Sequence, residues 1–178
     1  MNSAVLVIDV QKVLFEPKPQ PFDANDTIYR INQVTEWARS RSAPVIFIQH
    51  EKANSVIAHN SVGWELESGL IALASDYYSR KTTPDAFLNT DLQLVLEKLN
   101  IKHLIICGYA SEFCVDVTAK RAAGLGYSIT LVSDGHTTHD KPHLSGVEIR
   151  EHHNATLPFI TSFGVKIEAV STQNILLR

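Results

Sequence analysis

Six short strand-like runs recur along this chain and constrain its fold more than any other feature. They are residues 4–10, 43–50, 76–81, 103–109, 127–134 and 165–170. Most of these runs are continuously apolar rather than alternating, which is typical of strands buried on both faces of a parallel sheet. Each run is therefore predicted to be a β-strand.

Segments with helical periodicity or helix-ending signals lie between these runs. They are residues 22–41, 89–100, 111–126 and 145–163. Thr90 and Gln93 fit a capping box, and Pro158 is expected to kink or end the last helix. Alternating strands and helices predict a three-layer, doubly wound α/β sheet. We expect about six mainly parallel strands in the order 3-2-1-4-5-6, with helices on both faces.

Length and charge restrict the function. A chain of 178 residues is expected to form one domain over residues 1–178. A net charge of −3 favours neither nucleic acid nor an anionic membrane as partner, and no apolar stretch approaches the roughly 18 residues that span a bilayer. The N-terminus carries no basic leader, and two cysteines make no disulfide framework. We therefore expect a cytoplasmic protein that acts on a small molecule.

Three polar residues stand at the carboxyl ends of predicted strands, where doubly wound sheets bind their ligands. Asp9 lies at the end of the first strand, Lys81 ends the third, and Cys114 follows the fourth. A thiol nucleophile, a carboxylate that moves protons and a cation that holds the thiolate form a complete set for acyl transfer. The ammonium and a helix N-terminus are expected to lower the pKa of the Cys114 thiol from about 8.5.

Each of these residues also has an ordinary structural explanation when it is taken singly. Asp9 fits a surface acid or a loop cap, and Lys81 fits a solvated cation. Cys114 fits inert packing, which is the role expected for Cys107 inside the fourth strand. The occurrence of all three at strand ends favours the catalytic interpretation.

Other polar and aromatic residues are weaker candidates. His136, His139 and His143 are spaced three and four apart, but they lie in a loop-like segment, and no zinc motif accompanies them. We expect them to have structural or surface roles. Aromatic and polar residues near the strand ends are candidates for the wall of a substrate pocket. These candidates are Phe15, His50, Trp64, Tyr109 and Phe113.

Several motifs together resemble the isochorismatase-like cysteine hydrolases, which include nicotinamidases and other small-amide hydrolases. They are "VLVIDVQ", "GWEL", "KTTPDAFLNTDL", "GYASEFCVDVTA" and "SDGHTTHDKPH", and they span essentially the whole chain. The resemblance implies a catalytic triad of Asp9, Lys81 and Cys114. It also implies a non-proline cis peptide between Tyr109 and Ala110, an oxyanion hole formed by the backbone N–H groups of Ala110 and Cys114, and a homodimer or homotetramer.

The resemblance also narrows the expected reaction. True isochorismatases typically lack the cysteine, because vinyl-ether hydrolysis needs no nucleophile. Cys114 therefore favours hydrolysis of an amide or lactam C–N bond through a thioester. Vinyl-ether hydrolysis and a non-catalytic binding role are the alternatives. Nicotinamidases carry a metal-binding Asp-x-His preceded by Gln, whereas Gln49 is followed here by His50, Glu51 and Lys52. No metal or organic cofactor is expected.

Overall fold

The structure, a computed structural model, describes residues 2–178. Its strands are β1 (Ser3–Ile8), β2 (Val45–His50), β3 (Tyr77–Lys81), β4 (His103–Tyr109), β5 (Ser128–Thr137) and β6 (Ile167–Val170). Its α-helices are α1 (Lys12–Phe15), α2 (Ala24–Ser40), α3 (Leu92–Lys98), α4 (Asp116–Gly124), α5 (Gly146–Thr156) and α6 (Thr172–Leu176). A π-helical turn (Ser111–Val115) precedes α4, and a 3-10 turn (Leu157–Phe159) follows α5. All six predicted strands are confirmed, whereas α1 and α6 were not predicted.

The six strands form one parallel sheet in the order β3-β2-β1-β4-β5-β6, which confirms the predicted topology. β1 lies at the centre, and every one of its residues is buried. Its last residue, Ile8, lies opposite Ile48 of β2 and Gly108 of β4. The order of winding reverses between β1 and β4, so a crevice forms beyond the carboxyl ends of these two strands.

Helices cover both faces of the sheet because the side chains of β1 point alternately to opposite sides. Leu6 and Ile8 pack in the core beneath α3 and α4. Val5 and Val7 pack in the second core beneath α2 and α6. The described residues 2–178 contain no helix that is long and apolar enough to cross a membrane.

One predicted helix start is wrong. Thr90 does not form a capping box, because α3 begins at Leu92 with Asp91 as its N-cap. The Thr90 hydroxyl donates to the Ala86 carbonyl at 2.6 Å and accepts from the Leu92 amide at 3.3 Å. The capping box of this protein lies at Ser145 and Glu148, at the start of α5. Pro158 behaves as predicted, because α5 ends two residues before it.

A buried histidine connects β5 to the π-helical turn. β5 extends three residues beyond its predicted end, so His136 lies in the strand rather than in a loop. Its Nδ1 lies 2.8 Å from the Ser111 hydroxyl, and its Nε2 lies 3.0 Å from the amide oxygen of Asn154. The Asn154 amide nitrogen donates to the Ser133 carbonyl, so its oxygen must accept from Nε2. Burial lowers the pKa of His136 to about 4. A neutral His136 therefore fixes the start of the turn.

Gly108 allows β1 and β4 to end side by side. Its φ of 117° lies in a region that residues with a Cβ rarely adopt. A Cβ at this position would lie 2.1 Å from the backbone oxygen of Ile8, a distance far below van der Waals contact. The position before the last residue of β4 therefore requires glycine.

We predict that Gly108→Ala lowers the free energy of unfolding by more than about 3 kcal/mol, because the backbone of β1 cannot move away. Gly126→Ala is the matched control. Gly126 also has a positive φ, of 92°, but its Cβ would meet no atom within 4 Å. We expect this control to lose only about 1–2 kcal/mol. Urea unfolding of both variants measures the difference, and equal losses would contradict the steric explanation.

We further predict that His136 makes the protein less stable as the pH falls from 6.5 to about 4. In this window the unfolded chain binds a proton at this histidine that the folded chain does not, because the folded pKa is depressed. The free energy of unfolding therefore decreases by up to about 1.4 kcal/mol per pH unit. Urea unfolding at several pH values should show a shallower dependence in His136→Gln. Equal slopes in the two proteins would contradict the prediction.

Candidate active site

Four side chains converge beyond the carboxyl ends of β1 to β4. The ammonium of Lys81 lies at their centre, 2.6 Å from Asp9 Oδ2. The same nitrogen lies 3.0 Å from His50 Nδ1 and 3.2 Å from Cys114 Sγ. His50 lies directly opposite Lys81 in the pairing of β2 with β3, so the lysine side chain passes this strand end to reach Asp9. The structure thus brings together the three residues predicted from the sequence.

Asp9 leaves the sheet in a left-handed conformation, with φ of 51°, that aspartate tolerates better than most residues. Its amide donates to the carbonyl of Ile48 at 2.9 Å, which fixes the backbone to β2. The carboxylate is buried, and its Oδ2 accepts the bond from Lys81. Its Oδ1 is also buried and has no hydrogen-bond partner within residues 2–178. The carboxylate therefore keeps one free acceptor at the site.

Lys81 is 1% exposed, so its ammonium is almost completely removed from water. An unpaired charge at such depth would be strongly destabilising. The ion pair with Asp9 offsets part of that free energy, and the carbonyl of Thr83 accepts a further bond at 3.1 Å. The ammonium is consequently held on several sides, and it can only donate hydrogen bonds.

The electrostatics of Cys114 differ from the prediction. Burial, followed by the negative charge of Asp9, raises the pKa of the Cys114 thiol to about 12. Lys81 acts in the opposite direction but does not outweigh these two effects. The expected lowering of this pKa by the ammonium and the helix N-terminus is therefore wrong, because a carboxylate lies beside the thiol in a poorly solvated place. The resting thiol keeps its proton.

The π-helical turn places Cys114 at the mouth of the crevice. The peptide bond between Tyr109 and Ala110 is cis, as the resemblance implied. The Ala110 carbonyl accepts from the amides of Phe113 and Val115, at 3.0 and 3.1 Å. Such π-helical turns occur frequently at functional sites. The turn thus presents the thiol towards the strand ends.

A cavity of about 270 Å³ opens beside the thiol. Its wall is mainly apolar, which suits a small molecule with few charges. The lining residues are Asp9, Gln11, Leu14, His50, Ile57, Pro84, Tyr109, Ala110, Phe113 and Cys114. Three of the five predicted wall residues, His50, Tyr109 and Phe113, are among them.

The other two predicted wall residues lie outside this cavity. Phe15 is buried in the core beneath α2, with its ring 5.9 Å from that of Tyr109 in an edge-on arrangement. The ring of Trp64 packs edge-on against His59 at 4.8 Å. The prediction that Phe15 and Trp64 line the substrate pocket is therefore wrong for this cavity. Their neighbours in sequence or in the same loop, Leu14 and Ile57, line the cavity instead.

Gln11 is a positioning residue that the sequence analysis did not identify. Its amide nitrogen donates to the carbonyls of His50 and Trp64, at 3.0 and 2.8 Å. Its amide oxygen accepts from the backbone N–H of His50 at 2.8 Å. This side chain therefore connects the ends of β1 and β2. The available signal was its place two residues after Asp9, within a motif of the resemblance.

The residues present do not fit a bound metal at this site. Asp9, His50 and Cys114 bring ligand atoms to within 4.8 Å of one another. However, the Lys81 ammonium bonds to all three, so it occupies the place that a cation would take. Lys52, an exposed cation, stands where the related motif has its second ligand.

The other predicted histidines have structural contacts, except for His143, which lies exposed. His136 is buried in the network described above. The His139 ring lies 2.8 Å from the Tyr109 hydroxyl and 3.1 Å from the carbonyl of Pro19. His139 thus fixes one side of the cavity wall.

Comparison with known proteins agrees with this geometry. The chain is similar to a streptothricin hydrolase of Streptomyces noursei, with 33% identity over 140 residues that cover 78% of this chain and 51% of that protein. The chain spans about half the length of such curated relatives.

Solved structures extend the comparison. The crystal structure of an isochorismatase family protein matches with a TM-score of 0.87 and 32% identity, covering 96% of this chain and 98% of the other. N-carbamoylsarcosine amidase from Thermoplasma acidophilum has a TM-score of 0.77 and 20% identity over 97% of both chains, which shows a shared fold. The isochorismatase domain family matches residues 3–162. The chain therefore belongs to the isochorismatase family.

Proposed function

We propose that this protein hydrolyses the C–N bond of a small amide or lactam through a thioester on Cys114. The observation that carries the proposal is that the two oxygens of the Asp9 carboxylate differ in their hydrogen bonding. Its Oδ2 is held by Lys81, whereas its buried Oδ1 has no partner within residues 2–178. A free acceptor beside a neutral thiol is suited to remove the thiol proton.

The first step transfers the proton of the Cys114 thiol to Asp9 Oδ1. The negative charge then moves from the carboxylate to the sulfur, and Lys81 lies 3.2 Å from that sulfur. The ammonium thus stabilises charge at both ends of the transfer. The thiolate forms only when the thiol proton is transferred to Asp9 during the reaction, which agrees with the raised pKa of the resting Cys114 thiol.

The second step is attack of the sulfur on the carbonyl carbon of the substrate. A C–S bond forms, and the carbonyl oxygen becomes an oxyanion. We assign its stabilisation to the backbone N–H groups of Ala110 and Cys114, at the first turn that follows β4. N–H groups at the start of a helix lack partners within the helix, and such donors suit an oxyanion.

The remaining steps return every group to its starting state. Protonated Asp9 gives its proton to the leaving nitrogen, the C–N bond breaks, and an amine or ammonia departs. Asp9 then accepts a proton from water, whose oxygen attacks the thioester carbonyl. The C–S bond breaks, the sulfur regains the proton from Asp9, and a carboxylic acid is released.

Two further observations support this reaction. The cavity of about 270 Å³ admits only a small acyl group, and its wall is mainly apolar. Membership of the isochorismatase family supports a hydrolase, and one relative of this chain is named streptothricin hydrolase. A sulfur nucleophile in contact with its base is needed for thioester chemistry, whereas vinyl-ether hydrolysis does not need it.

We predict that a screen of small amides, lactams and ureido acids for release of ammonia or amine identifies a substrate. Cys114→Ala should then lower turnover by at least about a thousandfold, because the nucleophile is lost. Asp9→Asn should lower it by about a hundredfold or more, because the proton acceptor is lost while the sulfur remains.

Cys107→Ala is the matched control. This second cysteine is completely buried within β4, and its thiol bonds to the Leu6 carbonyl rather than to the site. It should keep wild-type turnover. Turnover that survives in Cys114→Ala would contradict the thioester. Pyruvate release from isochorismate that survives in the same variant would favour vinyl-ether hydrolysis.

A further inference from the structure

The side-chain polar groups on the cavity wall are nearly all engaged in bonds within the protein. The amide of Gln11 uses its nitrogen on two carbonyls and its oxygen on the His50 amide. The Tyr109 hydroxyl is bonded to the His139 ring at 2.8 Å. The remaining lining residues outside the triad have apolar side chains, except for His50. His50 is therefore the wall residue that can recognise a substrate through a polar side-chain atom.

The contact with Lys81 decides which nitrogen of His50 carries the proton. The ammonium has no acceptor, and its three N–H donors are shared among four neighbours, one of which is His50 Nδ1 at 3.0 Å. A proton on Nδ1 would point at a cation that cannot accept a hydrogen bond, so the neutral ring carries its proton on Nε2. Burial, followed by the positive charge of Lys81, lowers the pKa of His50, so the ring stays neutral. Within residues 2–178, Nε2 has no hydrogen-bond partner.

We propose that Lys81 fixes His50 as the Nε2–H tautomer, and that this N–H binds an uncharged acceptor atom of the substrate beside the scissile carbonyl. The substrate part of this inference rests on the proposed amide hydrolysis. His50 and Cys114 line the same cavity, and the Lys81 ammonium lies 3.0 Å from His50 Nδ1 and 3.2 Å from the Cys114 sulfur. A group bound by His50 therefore lies only a few bonds from the carbon that the sulfur attacks.

The charge of the wall indicates that the acyl group is neutral. Asp9 is the one acidic residue that lines the cavity, and its charge is already paired with Lys81. A carboxylate on the acyl group would lose its hydration and find no free cation there. The substrate class is thus an uncharged carboxamide or lactam with an ether, hydroxyl or carbonyl oxygen next to the scissile group.

The tautomer is tested by two-bond proton–nitrogen correlation spectra of the ¹⁵N-labelled protein at pH 7. Comparison with His50→Phe identifies the signals of His50. We expect a neutral ring with the proton on Nε2, and a mixture of tautomers in Lys81→Met, where the fixed donor is lost. A proton on Nδ1, or a charged ring, in the wild type would overturn the proposal.

Recognition is tested by binding two amides of equal shape to Cys114→Ala, which cannot turn them over. 2-Methoxypropanamide carries an ether oxygen where 2-methylbutanamide carries a methylene. We expect the ether to bind about three- to tenfold more tightly, the effect of one hydrogen bond. The preference should disappear when His50→Phe is added, and it should survive Ile57→Ala, which changes only the apolar wall. Succinamate, which carries a carboxylate, should show no measurable binding.

Equal affinity for the two amides, or measurable binding of neither, would contradict the proposal. Preferred binding of succinamate would do so as well. These experiments need no turnover, so they fail separately from the proposed reaction. If Cys114→Ala retained hydrolysis while the ether preference held, the reaction would be wrong and the recognition by His50 would stand.

Discussion

The Lys81 ammonium is the interaction on which this site depends. It is buried at the carboxyl end of β3 and bonds to groups that follow or end three other strands. Removal of one partner from such a buried ion pair is strongly destabilising, because the other charge is left uncompensated. The same contact that holds the strand ends together also sets the charge of the site. Lys81 occupies one oxygen of Asp9 and leaves the other free for the thiol.

The sheet explains why these groups can meet. In the order β3-β2-β1-β4, the residues that carry the chemistry end or follow four adjacent strands. The contacts of Lys81 therefore cross one strand spacing to His50, two to Asp9 and three to Cys114. Lys81 has the length to pass the end of β2, where His50 lies opposite it in register. Gly108 lets β4 end against β1, which brings the following turn and its thiol to the carboxylate. The strand order therefore brings these residues close together, and the carboxyl ends of the strands direct them into the same crevice.

Much of this arrangement could be predicted from the sequence. Six short runs, most of them continuously apolar, predicted the six strands. The rule that ligands bind at the carboxyl ends of such strands selected Asp9, Lys81 and Cys114 from a chain with many polar residues. The protonation state could not be predicted, because the pKa of Cys114 depends on the balance of burial, Asp9 and Lys81. The wall of the cavity was predicted in part, since Phe15 and Leu14 are adjacent in sequence and only their packing decides which one faces the crevice.

The central claim is that Asp9 takes the proton of a Cys114 thiol that is neutral at rest. The ultraviolet absorbance of the thiolate, measured against pH as the difference between the wild type and Cys114→Ser, tests it without any substrate. We expect no thiolate step between pH 6 and 9 in the wild type, since burial and Asp9 raise this pKa to about 12. Asp9→Asn should move the step to lower pH, because a neighbouring negative charge is removed. A thiolate step below pH 8.5 in the wild type, or no downward shift in Asp9→Asn, would contradict the account.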